Sequence, residues 1–140
     1  MQIDIVGVAD IDRVWPKVVA DVVRCLQKAP SDIGAGDVWA NCRSGQWFLI
    51  IGHDGQTIYG TTVWRFANGF LECLILVGGK FDQWFGPLIE KCTAIAVANG
   101  CSGLIATHRP ALTKQIKKLN PKAKAYRVTT LLELPPCHPA

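Results

Sequence analysis

The chain has 140 residues, of which 49% are hydrophobic and 19% charged, so it has the length of one domain and the composition of a globular protein. Its apolar stretches, such as 47–51 and 74–77, fall far short of the ~18 apolar residues of a membrane span, so no membrane partner is expected. The N-terminus has no basic patch followed by an apolar run, which argues against a secretory signal.

The net charge of +4 is unevenly distributed along the chain. Residues 1–90 carry 7 basic and 10 acidic side chains, whereas residues 91–132 carry 8 basic side chains and no acidic one. This asymmetry favours a partner that carries phosphates or carboxylates, although it says nothing about the fold.

The six cysteines are irregularly spaced, without a Cys-x-x-Cys pair, and the three histidines do not stand at zinc-ligand distances from them. Three of the cysteines fall on apolar positions of predicted helices or strands, where a free cysteine behaves as a small hydrophobe. We therefore expect reduced, structural thiols, no metal site and a cytoplasmic location.

Two helices are predicted in the first part of the chain. Asp10 and Asp12 can cap the first helix, and Pro16 is tolerable only in its first turn. A second, shorter helix is predicted within 31–42, and Gly45 can end it.

Asp-Gly at 54–55 and Asn-Gly at 68–69 are signals of tight hairpin turns. They lie between segments rich in β-branched and aromatic residues, which favour strands. An antiparallel meander is therefore predicted, and its strands span residues 46–51, 56–66 and 70–77, with an opening strand over 3–8 as a further option.

A long helix follows the meander, with Asp82 as its predicted cap and Gly100 at its end. A short strand over 102–107 is expected to run parallel to strand 70–77, because a crossover helix joins them. The rest of the chain predicts a basic helix over 111–119 and a final strand over 125–134. This order predicts an α/β fold with a mixed sheet and helices on both faces, in one domain over 1–134 with a C-terminal tail over 135–140.

The stretch Leu88–Cys101, with its apolar face and its Gly-Cys exit, resembles the long helix of the Gcn5-related N-acetyltransferase (GNAT) fold. The resemblance extends over nearly the whole chain and implies a GNAT-like sheet, in which the fourth and fifth strands splay apart and acetyl-CoA binds in the gap. A narrower resemblance, carried by Gly78-Gly79, Trp84, Gly100-Cys101 and Arg109, is to small GNAT-like proteins of tailed bacteriophages.

GNAT enzymes hold the pyrophosphate of acetyl-CoA with backbone N–H groups at the start of the long helix, in the pattern Gln/Arg-x-x-Gly-x-Gly/Ala. Small residues allow the backbone to approach the phosphates. The pattern falls on Lys80–Phe85, where Lys80 is basic but Gln83 and Phe85 replace both small residues. This departure argues against tight acetyl-CoA binding, so we expect no cofactor.

Gly78, Gly79 and Lys80 are the cofactor-binding candidates if acetyl-CoA does bind, since the two glycines offer small residues at a shifted spacing. Trp84 and Phe85 have two interpretations. They either fill the core or cleft, or they occupy the cofactor gap and form part of an interaction surface.

The resemblance also implies catalytic candidates. Glu72 lies on the predicted fourth strand, where many family members have a general base, and a solvent-facing glutamate is the alternative. Segment 111–119 has no tyrosine to act as general acid, which leaves Tyr126 on the final strand, where a packing role is the alternative.

The basic segment 109–127 contains no acidic residue. Its cations could meet a CoA phosphate, nucleic acid or an acidic protein surface, or could simply form a solvated face. The interaction candidates in this segment are Arg109, Lys114, Lys117, Lys118 and Lys122.

These observations predict a GNAT-fold protein without efficient acetyl transfer, acting as a structural or interaction module. The expected setting is a bacteriophage virion or assembly protein in the host cytoplasm, with other protein subunits or a second copy as partners. The alternatives are an acetyl-CoA-dependent N-acetyltransferase and a weak nucleic-acid-binding protein.

Overall fold

The computed structural model describes residues 1–28, 32–106, 110–119 and 121–122. The chain forms two compact units, residues 1–106 and residues 107–140. The described part of the second unit contains helix α4, Pro110–Leu119. The predicted final strand and the predicted boundary between residues 134 and 135 lie outside the described residues.

The first unit is a five-stranded sheet with three α-helices. The strands lie in the order β1-β2-β3-β4-β5, with three antiparallel pairings followed by a parallel one between β4 and β5. This confirms the predicted mixed α/β sheet. In chain order the elements are β1 Gln2–Val6, α1 Ile11–Gln27, α2 Ala35–Ser44, β2 Phe48–His53, β3 Ile58–Ala67, β4 Phe70–Gly78, α3 Phe81–Ala98 and β5 Leu104–Ala106, with a short 3₁₀ helix, Val8–Asp10, before α1.

Both predicted hairpin turns are present. Asn68 and Gly69 both have positive φ, 54° and 80°, as a two-residue turn between β3 and β4 requires. Gly55 has a φ of 99° in the turn between β2 and β3, and Gly45 has a φ of 83° at the end of α2. Short local signals therefore determine where these elements end.

One face of the sheet packs against α1 and α2. Leu49, Val63 and Ile75 share this face because they are direct partners across β2, β3 and β4. They are buried together with Val14 and Val18 of α1. Alternating side chains place this apolar row on one side, so burial of that row fixes the register of the meander.

The opposite face packs against α3 through Trp84, which is 1% exposed. A Cβ atom added to Gly60 would lie 2.6 Å from the indole ring, and one added to Gly52 would lie 3.1 Å from the Trp84 Cβ. Only glycine therefore lets the ring lie flat against β3. Helices thus cover both faces of the sheet, as predicted.

Two local predictions are wrong. Asp82 lies within the first turn of α3, and the residue that precedes the helix is Lys80, in a left-handed conformation with φ 54°. Pro16 is the sixth residue of α1 and not part of its first turn, because the helix begins at Ile11. No helix in the described parts of the chain has the length and apolar character needed to cross a bilayer.

The described cysteines have free thiols. Burial raises the pKa of Cys42 to about 11 and that of Cys92 to about 12, and it also raises the pKa of Cys73. Thiols of this kind are largely protonated at neutral pH, so these three act as apolar core groups and not as nucleophiles.

Candidate functional site

Within the described residues, strands β4 and β5 pair over three residues each. Their described ladder runs from Leu71 and Leu104 to Cys73 and Ala106. At this point β4 contains a bulge, because Trp64 pairs with Cys73 and Val63 with Ile75, so that Leu74 has no partner of its own on β3. A bulge bends its strand and increases the local twist. Beyond the bulge, β4 continues with β3 to Gly78.

The loop from β4 into α3 is a tight backbone turn. Gly78 has a φ of 143°, and a Cβ at this position would lie 1.9 Å from the carbonyl oxygen of Tyr59, so no other residue fits. A Cβ at Gly79 would meet nothing within 4 Å, and the Gly79 carbonyl accepts a 2.8 Å hydrogen bond from Trp84 Nε1. The backbone at Gly79 is therefore open to an incoming group.

Helix α3 begins at Phe81, and the first N–H groups of a helix have no partner within it. Together with the helix dipole, these groups favour an anion. Asp82 and Gln83, in the first turn, are exposed, and Lys80 precedes the helix. One cation and one carboxylate thus flank this helix end.

The Lys80 side chain is held over β3. Its Nζ lies 4.5 Å from the centroid of the Tyr59 ring, and the Tyr59 hydroxyl donates a hydrogen bond of 3.2 Å to Asp54 Oδ2. Asp54 also accepts backbone N–H groups from Thr57 and Gln56, and these bonds lower the pKa of its carboxyl. The turn between β2 and β3 therefore fixes the position of the lysine.

Trp84 lies between α3 and the sheet, and Phe85 is also buried; the two are 1% and 5% exposed. Phe81 stacks on Phe85 with ring centroids 4.3 Å apart. These two side chains belong to the core, so they do not form an interaction surface. Gln83, at the other small position of the pattern, is exposed in the first turn of α3.

Glu72 lies on β4, one residue before the last described pair with β5. Its Oε1 accepts a hydrogen bond of 2.5 Å from Arg65 Nε, and the Arg65 guanidinium lies 5.8 Å from the centroid of the Trp47 ring. Sequence reasoning missed Arg65 and Trp47. The signal was present for Arg65, because a two-residue turn at Asn68-Gly69 sets residue 65 opposite residue 72.

The remaining candidates belong to the second unit. Tyr126 and Arg109 lie outside the described residues. Four basic residues of this unit are exposed. The phosphate-bearing or acidic partner expected for the basic segment stays a prediction. These four are Lys114, Lys117, Lys118 and Lys122.

No protein-family model matches the sequence, and no curated protein sequence matches it either. Solved structures do match. An aminoglycoside acetyltransferase from an uncultured soil metagenomic sample, in complex with sisomicin, is 10% identical, with a TM-score of 0.69 and 96% of each chain covered. A putative acetyltransferase from Agrobacterium tumefaciens is 10% identical, with a TM-score of 0.65 over 96% of this chain and 100% of the other.

The PaiA N-acetyltransferase from Thermoplasma acidophilum, in complex with coenzyme A, is 11% identical, with a TM-score of 0.55 over 86% of this chain and 89% of the other. At such low identities the likeness establishes the GNAT fold, as the sequence resemblance predicted. The prediction of a bacteriophage structural module is wrong, because these three similar structures are described as acetyltransferases and none of them as a phage protein.

Proposed function

We propose that this protein is an acetyl-CoA-dependent N-acetyltransferase, one of the two alternatives that the sequence predicts. The bulge at Leu74 carries this proposal, because it bends β4 at the end of its described ladder with β5. In the GNAT fold the gap between these strands receives acetyl-CoA. The coenzyme A complex of the structurally similar Thermoplasma protein supports the same assignment.

The residues at the end of β4 fit a phosphate-bearing cofactor. Gly79 leaves its backbone accessible, and Lys80 supplies a positive charge at the start of α3. Phe85 is buried, so of the two residues that replace the small positions of the pattern, Gln83 is the one exposed at this end of the helix. Asp82 in the first turn is an ordinary acidic residue near a helix N-terminus and is itself exposed.

Acetyl-CoA would supply a reactive thioester, and the chain would supply a carboxylate. Glu72 can act as general base, since its Oε2 is the oxygen that Arg65 does not contact. It lies in the middle one of the three described β4–β5 pairs, beside the proposed cofactor gap. Tyr126 remains the candidate general acid, which returns a proton to the leaving sulfur.

A thermal-shift titration with acetyl-CoA tests the proposal. A ligand that binds only the native state stabilises it by about 2.7 kcal/mol at 100 times its Kd. For a chain of this size that corresponds to a rise of roughly 8 °C in Tm. We expect a saturable rise of this order, and no rise at millimolar acetyl-CoA would refute the proposal.

A pair of variants localises the binding. Lys80→Gln is expected to move the titration midpoint to higher acetyl-CoA concentration, because it removes the cation beside α3. Lys17→Gln is the matched control, since Lys17 is an exposed cation on α1. Equal changes in the two variants would show a nonspecific charge effect.

A further inference from the structure

Arg65 and Glu72 face each other across the hairpin of β3 and β4. They are direct partners in the antiparallel ladder, and their side chains are 37% and 25% exposed. Their hydrogen bond of 2.5 Å joins Arg65 Nε to Glu72 Oε1. Because Arg65 is two residues from Val63 on the same strand, this pair lies on the sheet face that packs against α1 and α2.

The Trp47 ring lies beside the Arg65 guanidinium. Its ring packs against the core beneath α1 and α2, and its centroid lies 5.8 Å from the guanidinium. Its backbone N–H donates a hydrogen bond of 3.1 Å to the carbonyl of Asn41 on α2. The tryptophan is therefore anchored independently of the arginine, and it favours one placement of the positive charge.

We propose that Arg65, supported by Trp47, is a positioning residue that fixes the Glu72 carboxylate for proton transfer. The proposal rests on the acetyltransferase function above. Arg65 engages Oε1 and leaves Oε2 as the oxygen that receives the proton. A planar guanidinium loses less conformational freedom per hydrogen bond than a lysine ammonium does, so lysine is a poor replacement.

The reaction that this arrangement serves is the aminolysis of a thioester. The nitrogen of a neutral primary amine forms a bond to the thioester carbonyl carbon, and the bond from that carbon to sulfur breaks. The sulfur leaves with the electron pair and takes a proton from the general acid, which releases free CoA. The proton lost by the nitrogen passes to Glu72 Oε2, and the product is an N-acetyl amide.

The first test is NMR relaxation of the arginine Nε–H groups in the full chain, which requires no substrate. We expect Arg65 to be ordered, with an order parameter near about 0.85, and to fall below about 0.6 in Glu72→Gln and in Trp47→Leu. Arg43, an exposed arginine with its own tryptophan and carboxylate, is the internal comparison. An Arg65 as mobile as Arg43 in the unmodified chain would overturn the proposal.

The second test is kinetic. Spermidine, tyramine and a lysine-containing peptide are assayed separately as acceptors, with release of free CoA as the readout. Arg65→Gln is expected to lower kcat about tenfold at unchanged KM for acetyl-CoA, because the carboxylate is no longer held in place. Arg65→Lys should recover only part of the loss, and Arg43→Gln should lose nothing.

The outcomes separate the two proposals. Acetyl transfer that is insensitive to Arg65→Gln would overturn the positioning role and leave the acetyltransferase in place. An unmodified chain whose Tm does not respond to acetyl-CoA would refute the acetyltransferase, and the positioning role with it. A melting curve of each variant shows whether it is folded. If Arg65→Gln is not folded, Arg65→Lys replaces it in the kinetic test.

Discussion

Two regions of this molecule combine a tryptophan, an arginine and a carboxylate. Between α1 and α2, Trp39 Nε1 donates to Asp12 Oδ1 at 3.0 Å, and Arg43 Nε lies 3.4 Å from Asp12 Oδ2. The Arg43 guanidinium is 5.4 Å from the Trp39 ring. In the sheet, Trp47, Arg65 and Glu72 form the second group, which has the same kinds of side chain in a different setting.

The two groups differ in solvent exposure and in their position in the fold. Arg43 and Asp12 are 55% and 56% exposed, whereas Arg65 and Glu72 are 37% and 25% exposed and come closer together. Exposed ion pairs contribute about 0–1 kcal/mol, because water screens them and ordering the side chains costs entropy. The sheet group also lies beside the point where β4 bends at the bulge. The comparison shows that location, and not composition, makes one group a candidate for catalysis.

Neutralising each carboxylate should separate the two groups most clearly. Glu72→Gln is expected to lower kcat/KM for acetyl transfer by about 10²–10⁴, the usual contribution of a general base. Asp12→Asn should leave kcat/KM unchanged, because Asp12 lies between α1 and α2. CoA release under identical conditions measures both, and equal activities would remove Glu72 from the mechanism.

Replacing each tryptophan should give a smaller difference in kcat/KM between the two groups than replacing each carboxylate does. Trp47→Leu removes the ring beside Arg65, an interaction of about 0.5–1 kcal/mol, which corresponds to roughly a two- to fivefold loss in kcat/KM. Trp39→Leu should destabilise the fold by losing its packing and its bond to Asp12, with kcat/KM unchanged in the folded fraction. Kinetics and chemical denaturation of both variants test this, and a loss of activity with Trp39→Leu alone would reverse the comparison.

Salt should produce the smallest effect. In a double-mutant cycle we expect a coupling of about 0.3 kcal/mol between Arg43 and Asp12 in low salt, falling to near zero at 1 M, where the Debye length is about 3 Å. The coupling between Arg65 and Glu72 should be about 1 kcal/mol and change less, because both side chains are partly shielded from solvent. Identical salt dependence would mean that the two pairs have similar environments.

Much of the fold was predictable because its signals are local. The turns at 54–55 and 68–69, the end of α2 at Gly45 and the long helix after β4 all depend on residues that are neighbours in sequence. The start of α3 was misassigned to Asp82, because aspartate is a common capping residue. The residue that precedes the helix is Lys80, and its left-handed conformation was not visible in the sequence. The function predicted from Gln83 and Phe85 is wrong because the similar structures described above are acetyltransferases, and the burial of Phe85 was not visible in the sequence.

The sequence by itself determined the order of the elements and the pairing of residue 65 with residue 72, since turn chemistry and hydrophobic periodicity act over short distances. Tertiary structure alone decided that the Trp84 ring lies on Gly60 and that Trp47 lies against Arg65. These contacts join residues far apart in the chain, and they depend on how α3 and α2 pack onto the sheet. Packing of that kind follows from the shapes of all the buried side chains together, so it became visible only in the folded molecule.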